Sequence, residues 1–166
     1  SAGCSTGEEP YTIAITLKEI LNNDFLDIKI LATDISTRVL AHSMNGLYEE
    51  KKMKDIPDQI RRKYFNKNGS GYYVKDNLKK MIVFKRLNLS INPFPMSGPL
   101  DFIFCRNVMI YFDNIVRKKL LDEFYRLLKP GGFLFVGHAE SLTGMMLKQL
   151  KVIKPSVYIK LWILSL

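Results

Sequence analysis

Apolar positions recur at helical spacing most plainly over residues 113–128. There Ile115, Val116, Leu120, Leu121, Phe124, Leu127 and Leu128 share one face, which predicts a helix ended by Pro130-Gly131-Gly132. A second helical stretch starts at residues 8–10 and runs to about Asn23, with Ile13, Ile15, Leu17, Ile20 and Leu21 apolar. Thr6 is placed to cap it, and Pro10 suits its first turn. Residues 36–44 predict a third helix stopped by Asn45-Gly46, residues 57–65 a short one, and residues 141–149 another. Compact apolar runs lie between these helices. Residues 28–32 (ending at Thr33-Asp34), 81–89, 100–105, 133–137 and 157–164 read as strands. The run 100–105 is apolar enough to be buried on both faces. Residues 47–80 are the least regular part, with a turn at 66–71 and a short strand at 72–75. Residues 92–99 form a proline-rich, rigid loop.

Strands alternating with helices predict an α/β fold with a doubly wound, Rossmann-like parallel sheet. Such sheets bind ligands beyond the carboxyl ends of their strands, so informative residues should follow strands. A chain of 166 residues fits one domain. No apolar run approaches the roughly 18 residues of a membrane span, and no signal peptide opens the chain. Cys4 and Cys105 lie far apart without metal-ligand spacing, which argues against a zinc site or disulfide framework and for a reducing cytoplasm. The net charge is +9, and residues 49–86 hold 12 Lys/Arg against 5 Asp/Glu. That excess reads as a solvated lysine-rich face or as a docking face for an acidic partner, nucleic acid or protein. The first residues already belong to a glycine turn, so a strand preceding that turn is expected to lie outside this sequence.

Candidate chemistry sits after the strands. Gly3 and Gly7 allow a sharp turn and close approach of a ligand to the backbone. The turn lacks the lysine of a triphosphate-binding loop and carries Glu8 and Glu9, which suit a cationic ligand. Asp34 can accept hydrogen bonds from ribose hydroxyls or cap the helix that follows; beside the glycine loop the ribose role is favoured. Asn88, at a strand end, can pair with an adenine edge or simply make a turn. The polar pair Arg106-Asn107, with Tyr111 close behind, follows the apolar run 100–105 where reacting groups are expected. His138 reads as a structural histidine, His42 as a helix-surface residue, and Cys105 as a packed thiol.

Several of these segments resemble the CheR family of protein-glutamate O-methyltransferases. Residues 1–11 resemble its first motif and Ala32-Thr33-Asp34-Ile35-Ser36 its second. Gly71-Tyr72-Tyr73-Val74-Lys75, Asn88-Leu89, residues 104–112 (Phe-Cys-Arg-Asn-Val-Met-Ile-Tyr-Phe) and residues 129–141, including Gly137-His138-Ala139-Glu140, match in order. The likeness reaches about Lys160. It departs at Ala139, where the family more often has serine, and over the apolar residues 161–166.

The resemblance implies an S-adenosyl-L-methionine-binding domain over residues 1–166, with residues 46–80 as a small inserted β subdomain. It also implies S-adenosyl-L-homocysteine as product and, as partner, a chemoreceptor cytoplasmic domain whose glutamates are methylated. Residue by residue, it implies Gly3 in the cofactor loop, Glu9 at the cofactor's amino-acid end, Asp34 at its ribose, and Asn88 with the Leu89 backbone at its adenine. It further implies that Arg106, Asn107 and Tyr111 line the place where cofactor and substrate meet, with Arg106 and Asn107 also binding the cofactor and Arg106 and Tyr111 as the catalytic pair. The family's N-terminal helical domain is absent from this sequence. No metal, nucleic acid or membrane insertion is implied. Two rivals stand beside this reading. One is a nucleic-acid methyltransferase, favoured by the charge and by Asn92-Pro93-Phe94-Pro95, although that segment precedes the strand it should follow. The other is a non-catalytic binding module that keeps the fold.

Overall fold

The computed structural model describes residues 1–21, 27–69, 71–140, 142 and 150–162. Contacts divide the chain into two compact units. One comprises Ser1 and Gly3–Arg86, the other Ala2 and Leu87–Leu166.

The first unit opens with the glycine turn and α1 (Glu8–Leu21). Gly7, not Thr6, is the residue from which α1 departs. The Tyr11 N–H donates to the Gly7 carbonyl at 3.2 Å, while the Thr6 hydroxyl turns to the Glu8 carboxylate at 2.6 Å. Next come β1 (Ile30–Asp34) and α2 (Thr37–Asn45). The Ser36 hydroxyl caps α2 at Val39 N, and Gly46 closes it in the left-handed conformation at φ 65°. Residues 47–79 then build a small region of their own. Strand β2 (Leu47–Glu49) and a 3-10 turn (Glu50–Met53) precede α3 (Asp58–Tyr64), β3 (Phe65–Asn68), β4 (Gly71–Val74) and a single helical turn α4 (Asp76–Lys79). Here β4 sits between β2 and β3 in an antiparallel sheet. The expected turn at 66–71 is narrower than its composition implied, because residues 66–68 pair across it with β4. Strand β2 and helix α4 are too short to leave a periodic signal. Finally β5 (Ile82–Arg86) runs parallel to β1 in register, ending three residues before the expected limit. A core of Tyr11, Ala14, Ala32, Leu40, Tyr64 and Leu78, among others, fills this unit.

The second unit holds β6 (Leu100–Cys105), α5 (Asn114–Leu127), β7 (Leu128–Val136), β8 (Leu150–Lys154) and β9 (Val157–Lys160). Its sheet runs β6-β7-β9-β8, with β6 and β7 parallel and the other pairs antiparallel. Ala2 N–H donates to the Phe104 carbonyl at 2.7 Å. Asp113 caps α5 by accepting from Val116 N at 2.8 Å. Helix α5 ends at Leu127, because Leu128 is already extended (φ −67°, ψ 138°) and starts β7; the Pro130-Gly131-Gly132 stretch lies inside that strand. Strand β6 is not buried on both faces. Ile103 and Cys105 join Leu134 and Val136 under Leu120, Leu121, Phe124 and Leu127 of α5. Phe102 and Phe104 stack with Phe133 and Phe135 on the other side, and Phe102 is half exposed. The run is apolar because the rings on that side stack on one another. The last strand stops at Lys160, short of the expected 164. Strand β8 was not anticipated, and the helix expected at 141–149 falls outside the described residues except for Leu142. Among the described residues no helix is long and apolar enough to cross a membrane.

Candidate active site

In the first unit the glycine loop is held from all sides. Thr33 O accepts both Gly3 N–H and Cys4 N–H at 2.8 Å, and Asp34 Oδ2 accepts Ser5 N–H at 2.9 Å. Two hydroxyls grip the loop's carbonyls. Ser43 Oγ, fully buried on α2, donates to Ser5 O at 2.9 Å, and Tyr48 Oη of β2 donates to Thr6 O at 2.8 Å. Gly7, at φ +93°, lies so close that an added Cβ would meet Ser43 Oγ and Tyr48 Oη at 2.9 Å. A side chain is therefore excluded by space as well as by conformation. Ser43 and Tyr48 escaped sequence reasoning: a serine on a helix and a tyrosine in an irregular stretch carry no motif.

Electrostatics sort the loop's carboxylates. Glu8 is paired with Lys52 and accepts from Thr6. Burial opposes its ionisation, but the hydrogen bonds from Lys52 and Thr6 outweigh it and hold its carboxyl below the usual range. Glu9 accepts from the Ser1 hydroxyl at 2.8 Å. Asp34 Oδ1 accepts Ser36 N–H at 2.9 Å, although Ser36 itself caps α2; Asp34 thus ties the loop to the strand end. Burial, and next the charge of Asp34, push the Cys4 thiol up to about 12. The thiol is consequently neutral and no nucleophile. Burial, with the charge of Glu8 adding to it, also drives the Tyr48 phenol up, which keeps its proton available for Thr6.

In the second unit the turn after β6 carries Arg106 and Asn107, both exposed, and a 3-10 turn, Met109–Tyr111. Asn107 is left-handed at φ 59°. Tyr111 is 79% exposed. Glu140 folds back beneath this turn. Its Oε2 accepts Asn107 N–H and Gly137 N–H at 2.7 Å each, and its Oε1 accepts Ile110 N–H at 3.3 Å. Asn88 Oδ1 accepts both the N–H and the hydroxyl of Ser90, at 3.0 and 2.7 Å, so Asn88 does build a turn; Leu89 beside it is buried. His138 is exposed on the turn after β7 and is not packed as a structural histidine, whereas His42 is exposed on α2 as expected. Phe94 is buried, with its N–H on Glu123 Oε2 at 2.8 Å. The Asn92-Pro93-Phe94-Pro95 segment is therefore anchored to α5 and holds no ring free to stack on a base.

A loop with carboxylates and no lysine, followed by a polar turn after a parallel strand, points to methyl-transfer chemistry, and sequence comparison agrees. The family described as CheR methyltransferase, SAM binding domain, matches residues 1–159. The chain belongs to the CheR methyltransferase family. Among its relatives, a chemotaxis protein methyltransferase of Borreliella burgdorferi is 46% identical over 96% of this chain and 57% of its own length. Another, from Escherichia coli, is 41% identical over 87% of this chain and 52% of its own. The chain thus spans about half the length of these relatives. A TehB-like SAM-dependent methyltransferase from Corynebacterium glutamicum superposes with a TM-score of 0.54 at 13% identity, covering 96% of this chain and 76% of that one. The fold is that of the S-adenosylmethionine-dependent methyltransferases. S-adenosylmethionine, the ligand named for this CheR domain, fits the chemistry of the residues present: its sulfonium and ammonium are cationic, and the charges of Asp34 and Glu9 at this loop both disfavour ionisation of Cys4.

Proposed function

We propose that this chain is the cofactor-binding, catalytic part of an enzyme that methylates glutamate side chains on the cytoplasmic domain of a chemoreceptor. The observation that carries the reading is the negative, lysine-free glycine loop in a chain of the CheR family. Gly3 and Glu9 hold the cofactor's amino-acid end. Both oxygens of Asp34 already accept one backbone N–H; a carboxylate offers about four acceptor sites, which leaves capacity for two ribose hydroxyls. The Asn88 carbonyl is engaged by Ser90, so its amide nitrogen meets the adenine edge, beside the Leu89 backbone.

When bound, the cofactor supplies an electrophilic methyl group. A glutamate side chain, with a pKa of about 4.3, is ionised at neutral pH, so no general base is required of His138 or any other residue. What remains is alignment and exclusion of water, and alignment can contribute roughly 7–11 kcal/mol in favourable cases. Arg106 and Tyr111 perform it: Tyr111 orients the reacting groups through its hydroxyl, and Arg106 with Asn107 contacts the cofactor and lines the approach.

The basic residues of the 49–86 stretch face the acidic receptor. Lys51 and Lys52 already hold Glu49 and Glu8, so Lys54 is the cleaner charge-reversal probe.

The test is calorimetric titration of S-adenosylhomocysteine, followed by transfer of a labelled methyl group to a receptor cytoplasmic fragment. Binding, and a methyl label released as methanol by mild alkali, is the expected result, because a carboxyl ester is base-labile. A base-stable label would rule out glutamate as acceptor. Binding without transfer by the full-length protein would favour a module that keeps the fold without the reaction.

A further inference from the structure

Glu140 is 6% exposed and closes the Gly137-His138-Ala139-Glu140 segment. Its carboxylate accepts N–H groups from two chain segments that follow neighbouring parallel strands, Asn107 and Ile110 after β6 and Gly137 after β7. Space at this point is filled. A Cβ on Gly137 would lie 2.5 Å from Asn107 Oδ1 and 2.6 Å from Glu140 Oε2. The β7 side is itself anchored, since Gly137 O accepts Glu140 N–H at 3.0 Å and the Ser156 hydroxyl at 3.3 Å. Asn107 is left-handed at φ 59°, a conformation that asparagine tolerates better than most side chains. The carboxylate on its N–H, at 2.7 Å, fixes the turn in that form. Arg106, Asn107 and Tyr111, by contrast, are exposed.

We infer that Glu140 is a positioning residue: by gathering the N–H groups of Asn107, Ile110 and Gly137 it sets the turn that presents Arg106, Asn107 and Tyr111. This rests on the cofactor reading above and adds to it a residue that touches neither cofactor nor substrate. A purely structural role would lower stability alone. A positioning role also loosens one turn and weakens the cofactor before it slows turnover.

The experiment compares the full-length protein with Glu140→Gln, whose amide N–H₂ cannot accept, and with Leu150→Ala, a core truncation in β8 remote from the turn. Three quantities are read: hydrogen exchange at the amides of residues 107, 110 and 137, S-adenosylhomocysteine affinity, and KM for S-adenosylmethionine against kcat. The expectation for Glu140→Gln is at least tenfold faster exchange at residues 107 and 137 with the amides of β6 unchanged. Affinity falls about tenfold, and KM rises by more than kcat falls. Leu150→Ala, at similar thermal destabilisation, shows none of these. The inference is overturned if Glu140→Gln keeps affinity within about twofold of wild type, or if Leu150→Ala reproduces its losses. Should wild type itself not bind S-adenosylhomocysteine, the cofactor reading falls, and exchange at residues 107 and 137 still decides whether Glu140 holds the turn. If Glu140→Gln does not fold, Glu140→Asp, one carbon shorter, carries the same comparison.

Discussion

Tyr111 shows what a single residue can reveal. Its ring is 79% exposed and its N–H donates to Val108 O, so neither core nor turn depends on its hydroxyl. Tyr111→Phe is therefore expected to leave the melting temperature unchanged and to lower kcat about tenfold, equivalent to about 1.4 kcal/mol in the barrier. Unchanged turnover would remove Tyr111 from the alignment of reacting groups. The placement of some candidate residues was legible in the sequence: Gly3, Asp34 and the Arg106-Asn107 pair each stand beside a strand end or a turn. The contacts of Ser43, Tyr48 and Glu140 were not. Each acts on a backbone group brought near only by the fold, and spacing along the chain carries no record of that.

Elements were legible where they carry their own stop signals. Helix α2 has Ser36 at one end and left-handed Gly46 at the other, and α5 has Asp113. Removing the α5 cap by Asp113→Ala is expected to destabilise the second unit by about 1 kcal/mol, read as a lower urea midpoint with unchanged slope. A midpoint unmoved by the substitution would mean that solvent serves Val116 N–H equally well. Short pieces failed to register. Strand β2 has three residues and α4 four, below the length at which periodicity can be recognised. Strand β7 was misread at its start because Pro130-Gly131-Gly132, a usual helix stop, falls in the register shift between the Leu100–Leu128 and Phe102–Phe133 pairs, where a strand tolerates it.

Among the described residues, the carboxyls that shift, Glu8, Glu19, Glu49 and Glu123, all shift downward. At Glu8 hydrogen bonds from Lys52 and Thr6 overcome burial; at Glu19, Glu49 and Glu123 the hydrogen bonds from Lys63, Lys51 and Arg126 lead. A carboxyl with a lowered folded value contributes stability that is complete above the ordinary value of about 4.3 and is lost as pH falls through the folded value. Urea midpoints should hold from neutrality to about pH 5 and decline below it, more steeply at low salt because these pairs are solvent-screened. A midpoint that rises on acidification would contradict the sign. The charge excess foreseen in residues 49–86 is partly offset from outside that stretch, since Lys52 holds Glu8 and Lys63 holds Glu19.

The two cysteines offer a use unrelated to catalysis. Cys4 lies in the first unit and Cys105 in the second; both are buried thiols. A thiol-alkylating reagent reaches either sulfur only when its own surroundings open, so labelling rate becomes a clock for local opening. Single-cysteine variants, Cys4→Ala and Cys105→Ala, would report the two openings separately. Saturating S-adenosylhomocysteine should slow labelling of Cys4, the sulfur in the glycine loop.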